Sequence, residues 1–145
     1  MGSCNKMEPF DDPDLLDDDL LIRRIDPENH LTTCHDTNSK KISTKAFCAS
    51  SGLNGGMSVD IPKHMQAESV DPYEYVTTPK YVGSVVFSAG SARGVELVAA
   101  HDPIEDNPYH GQVWRQGSST RFTTRQKRCL LEASSWFVPI PDVIL

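Results

Sequence analysis

Polar and apolar residues alternate with a period of two in several short stretches, and each such stretch predicts a strand. In Leu20-Leu21-Ile22-Arg23-Arg24-Ile25, Leu21, Arg23 and Ile25 fall on one face and Leu20, Ile22 and Arg24 on the other. An arginine on each face suits a sheet edge or a binding site. Met57-Ser58-Val59-Asp60-Ile61 alternates over a shorter span, after a glycine-rich turn at 51–56. Val82–Ala89 is rich in β-branched residues and predicts an early core strand. Gly90-Ser91-Ala92-Arg93-Gly94 reads as a turn, Val95–Ala100 as another strand, and Gln112–Arg115 as a short one.

The helical period is clearest near the carboxyl end. Thr123 followed three residues later by Gln126 forms a capping-box pattern. Cys129, Leu130, Ala133, Trp136 and Phe137 then recur at helical spacing, before Pro139 and Pro141 stop the run. Val143-Ile144-Leu145 is expected to tuck back onto the body. One or two helical turns fit around His64–Ser69, limited by Pro72, whereas Leu31–Ser43 lacks periodicity and reads as a long loop. Strands first and a helix late, without regular alternation, predict α+β: a small mixed domain with a short-stranded twisted sheet and a C-terminal amphipathic helix.

Length adds a bound. With 145 residues, 38% of them hydrophobic, the chain has material for one core. Residues 20–145 are therefore expected to form a single compact domain, preceded by an acidic arm over 1–19. No apolar run approaches the roughly 18 residues of a membrane span. The acidic amino terminus lacks a basic-then-apolar leader pattern, so the expectation is a soluble, cytoplasmic protein without membrane contact.

Charge sharpens the division. The formal net charge is −6, and residues 1–20 account for all of it, with seven acids against Lys6 alone. The other 125 residues balance, with 13 basic and 13 acidic side chains. Repulsion at this density predicts a solvated, flexible arm. Its interspersed leucines also suit docking on a basic surface, with Asp17, Asp18, Asp19 and Leu20 as interaction residues. Arg115, Arg121, Arg125, Lys127 and Arg128 form an acid-free basic stretch, of which Arg121, Arg125 and Arg128 are the matching candidates. A balanced body argues against a dedicated nucleic-acid binder.

Cys4, Cys34, Cys48 and Cys129 show no zinc-knuckle or dithiol spacing and are expected to be reduced thiols, with Cys48 buried. The densest polar constellation is His101-Asp102-Pro103-Ile104-Glu105-Asp106-Asn107-Pro108-Tyr109-His110, directly after a predicted strand. Imidazoles beside carboxylates supply a general base near neutral pH or hold a divalent metal. His101, Asp102 and His110 are the catalytic candidates, Arg24 and Arg93 the anion or substrate-binding ones, and His35 with Asp106 the metal-ligating ones. Phosphate-loop, dinucleotide-binding and nucleophile-elbow motifs are all missing.

Two functional readings follow. The first is a small interaction or accessory protein that engages a protein partner through the acidic arm and the basic patch. The second is a small hydrolase or transferase with a histidine–carboxylate site, metal-assisted in one version, taking a phosphate-containing small molecule. The cofactor is otherwise left open.

Overall fold

The computed structural model describes residues 8–50, 54–117 and 119–145. Nine strands and four helices lie among them: β1 Leu20–Ile25, β2 Leu31–Thr33, β3 Lys40–Ile42, β4 Met57–Asp60, α1 Pro62–Ala67, α2 Pro72–Tyr75, β5 Gly83–Ser88, α3 Ala89–Arg93, β6 Leu97–His101, β7 His110–Arg115, α4 Thr124–Ala133, β8 Ser135–Val138 and β9 Val143–Ile144. The expected α+β class holds. Six strands form one antiparallel sheet in the order β6-β7-β4-β1-β5-β8, and β2, β3 and β9 form a second sheet.

The alternation of β1 decides the layering. Leu21 and Ile25 enter the larger core with Val59, Val85, Phe87, Leu97, Ala99 and Val113, covered by α3, α4 and the 3-10 turn at Thr44–Ala46. Ile22 points to the opposite face, where it packs with Met65, Val76 and Tyr109 beneath α1 and α2. The sheet is thus covered on both faces. No helix of the described residues is long and apolar enough to cross a membrane.

Several expectations shift. The loop expected at 31–43 contains the hairpin β2–β3, whose outer edge pairs in parallel with β9, so a distant tail supplies the partner that local periodicity could not reveal. The turn expected at 90–94 is helix α3, capped by the Ser88 side chain, which accepts from the Ser91 amide at 3.1 Å. Helix α4 starts as expected: Gln126 N–H donates to Thr123 Oγ1 at 3.1 Å and Thr123 N–H donates to Gln126 Oε1 at 2.9 Å. It ends at Ala133, however, because Trp136 and Phe137 belong to β8, which pairs with β5. Cys48 is exposed rather than buried.

The acidic segment makes contacts that its composition alone does not suggest. Residues 1–7 of it lie outside the described residues, as do 51–53 of the glycine turn. Within residues 8–19, Asp12 and Leu15 are buried while most of the others are exposed. Leu15 is buried in the larger core, and the Asp12 amide donates to Ala99 O at 2.9 Å. Arg93 clamps the segment by donating to Asp11, to Asp17 and to the carbonyls of Asp12 and Leu15. Repulsion among the acids is offset by a cation placed among them and by one leucine that gains a core.

Candidate functional site

Strands β1 and β4 pair at a single position, Ile22 with Asp60, whereas β1 and β5 pair along their whole length. Beyond that position β1 and β4 separate and leave a cleft of about 310 Å³ between them. Its walls include Arg23, Arg24, Asp26, His30, Ser58, Asp60, Tyr81, Asn107 and His110. Arg23 spans the gap, donating from Nε to Ala46 O at 2.8 Å and from Nη1 to Ser58 O at 2.9 Å. These two carbonyls are its only acceptors among the described residues, which leaves the rest of its guanidinium N–H groups to a ligand or water. Burial lowers the Arg23 pKa from its ordinary value, opposed by Tyr81, Cys48 and Asp60.

Arg24, one residue on, meets a different fate. It donates to Asp60 through Nε at 2.8 Å and Nη2 at 3.3 Å, while Tyr75 and Tyr81 present ring faces to it at 5.7 and 5.9 Å. Asp60 also accepts from Asn107 Nδ2 at 2.7 Å, and Asn107 Oδ1 accepts from Tyr75 OH and the Tyr109 amide. The loop after β6 is thereby tied to β4. Asp60 is compensated on both oxygens, and Arg24 is neutralised by it.

Ser58 and Asp60 share one face of β4, and across the ladder to β7 they stand opposite Gln112 and His110. His110 Nδ1 lies 2.8 Å from Asp102 O, and its Nε2 lies 3.1 Å from Ser58 Oγ. A carbonyl can only accept, so Nδ1 carries a proton; in the neutral ring Nε2 is then the acceptor of the Ser58 hydroxyl proton. The Asp102 carboxylate stands 3.9 Å from Nδ1, oriented by Gln112 Nε2 at 2.6 Å. Ser58 is exposed while His110 is buried. Gly111, the next residue of β7, has no room for a side chain: a Cβ there would meet Ile61 Cδ1 at 2.7 Å and Ala100 O at 2.8 Å.

The second imidazole of the cleft behaves differently. His30 Nδ1 accepts from the Asp26 amide at 2.9 Å, so the neutral ring bears its proton on Nε2. Burial, reinforced by Arg23, lowers the His30 pKa to about 4, and the ring is neutral at pH 7. The Asp26 carboxyl is held below its usual range by Asn29 and by the Glu28 amide.

Of the catalytic candidates, His110 and Asp102 come together and His101 does not join them. His101 Nε2 donates to Pro108 O at 2.7 Å, and its ring stacks on His64 with centroids 4.1 Å apart. Of the anion-binding candidates, Arg24 reaches the cleft but is spent on Asp60, and Arg93 is spent on the acidic segment. His35 and Asp106 are both exposed, on separate loops, and no three His, Cys, Asp or Glu side chains among the described residues converge as a metal-ligand set.

The interaction candidates are dispersed. Asp17 pairs with Arg93 and Asp19 with Lys63, while Asp18 and Leu20 remain exposed. Arg121, Arg125 and Arg128 are exposed, and the acids of residues 8–19 that form ion pairs, Asp11, Asp17 and Asp19, do so with Arg93 and Lys63. Ser58, Arg23 and His30 were not singled out from the sequence. The signal for Ser58 lay in the alternation of 57–61, which places it beside Asp60 on the polar face. Compared with family models, with curated proteins and with solved structures, the chain has no match.

Proposed function

We propose that the cleft between β1 and β4 is the active site of a small cytoplasmic hydrolase or transferase with Ser58 as nucleophile and His110 as general base. The observation that carries this reading is the 3.1 Å contact from Ser58 Oγ to His110 Nε2, with the ring held in the required tautomer by Asp102 O. In the step envisaged, the Ser58 hydroxyl adds to an electrophilic centre and His110 takes its proton. His110 then returns that proton to the departing oxygen, and water or an acceptor alcohol releases the covalent intermediate by the reverse sequence. The nearby Asp102 carboxylate favours the transient imidazolium.

A fluorophosphonate probe tests this without knowledge of the substrate, because it forms a serine–phosphorus bond with loss of fluoride. Covalent labelling should map to Ser58, vanish in Ser58→Ala and fall by about a hundredfold or more in His110→Ala. Wild-type protein left unlabelled, or equal labelling of Ser58→Ala, sinks the reading.

One observation favours a second reading, an interaction or accessory role with a protein partner. Tyr73 and Phe137 stack coplanar at 4.2 Å beside Leu20 and Asp18, in a groove of about 370 Å³. Exposed aromatic and leucine side chains of this kind are common at contact surfaces. Under this reading a partner held by the wild type is lost from a Leu20→Asp, Tyr73→Ser double variant and retained by Ser58→Ala. Retention by the double variant argues against the groove.

A further inference from the structure

We propose that the cleft takes its substrate through a phosphate group, held by Arg23, His30 and Tyr81, so that the substrate is a small phosphate-bearing ester. This rests on the reading of the cleft as an active site and adds the chemical class of what enters it.

Charge in the cleft is unevenly compensated. Two carboxylates line the cleft, and both are committed: Asp60 to Arg24 and Asn107, Asp26 to the Glu28 amide and Asn29. Arg23 is hydrogen-bonded to neither. It makes its two described hydrogen bonds to neutral carbonyls, and its other N–H groups have no protein acceptor among the described residues. A half-buried guanidinium left in that state favours an anion.

The neighbouring wall also offers donors. His30 is fixed by the Asp26 amide as an Nε2–H donor, and Tyr81 brings a phenol. Lys80, whose ammonium lies 5.2 Å from the Tyr81 ring centroid, adds positive charge near the rim. A planar carboxylate would satisfy one edge of Arg23. Donors drawn from β1, from the turn after it and from the loop before β5 suit an oxyanion with oxygens pointing several ways, as a phosphate has. Because Arg23 Nη1 is bonded to Ser58 O, an anion on the guanidinium sits next to the residue that carries the nucleophile. The balanced charge of the body keeps the attraction local, which fits a small molecule better than a polymer.

Inorganic phosphate is the probe. Titrated into the full chain at pH 7 and followed by NMR, it should give saturable shifts at Arg23, His30 and Tyr81. Arg23→Met should weaken binding by about tenfold or more, and Arg23→Lys by less, since it keeps the charge without the fork. Bound phosphate should also raise the midpoint of the His30 ring titration, a change that a merely structural arginine would not produce. Should Arg23→Met fail to fold, that His30 midpoint in the wild type decides the matter. Saturable binding with a raised midpoint supports the inference even if Ser58 resists the fluorophosphonate, which would overturn the serine reading alone. Labelled Ser58 with no saturable phosphate shift, or with affinity unchanged in Arg23→Met, overturns this inference and leaves the serine reading standing.

Discussion

Arg93 Nη1 donates to the Asp17 carboxylate at 2.7 Å, joining helix α3 to a segment that precedes β1. The same guanidinium holds Asp11 and two backbone carbonyls, so one side chain organises most of the acidic stretch. Asp17 is largely exposed, and the pair by itself contributes little to global stability. Arg93→Ala should therefore act locally. Amide exchange over residues 8–19 should speed up while the six-stranded sheet keeps its protection, as hydrogen-exchange mass spectrometry would read. In the same segment Leu15→Ala should lose about 2–4 kcal/mol of unfolding free energy, and Leu16→Ala no more than about 0.5 kcal/mol. Equal losses at the two positions in urea melts would mean that Leu15 is not in the core.

The Arg24–Asp60 pair predicts a larger effect than its surface counterpart. Asp60 retains 5% of its side-chain exposure and Arg24 22%, so removal of the carboxylate strands a half-buried guanidinium and the Asn107 amide. Asp60→Ala should cost about 3 kcal/mol, and Lys63→Ala, which breaks the exposed contact to Asp19, less than about 1 kcal/mol. Chemical denaturation of the two variants side by side checks the order.

His30 predicts a pH dependence with a definite sign. Its folded pKa, about 4, lies below the ordinary value of 6.5. Between those values the unfolded chain binds more protons than the native one, so stability rises with pH across the window and is lost as pH falls through it. Half-exposure of the ring tempers the size, and the Asp26 carboxyl, also depressed, adds a loss in the same direction at lower pH. His30→Gln should flatten the melting temperature between pH 4 and 6.5 relative to wild type. A variant with the same slope as wild type there would falsify the assignment of that slope to His30.

Much of this molecule is written locally. The alternation in β1 and β4 and the capping box of α4 depend on neighbours two to four positions away, and those were legible without coordinates. His110 and Asp102 were legible as a polar cluster after a strand, for the same reason. The rest depends on partners distant in the chain. The stripe that continues past Ala133 was overridden because β5 offered an edge to Trp136 and Phe137, and tertiary pairing outweighs helical periodicity.

Which residues alternate, which helix is capped and where the charge lies are fixed by side chains close in the chain and need no tertiary contact. Three-dimensional packing was needed to set Ser58 against His110, to pair Arg24 but not Arg23 with Asp60, and to bring Asp11 and Asp17 onto Arg93. Those outcomes rest on the register of β4 against β7, on the single pairing of β1 with β4 and on a cation that follows the acids by more than seventy residues. Strand register and ion-pair choice are competitions among distant segments, settled by which arrangement buries the most apolar surface at the least cost in unpaired charge.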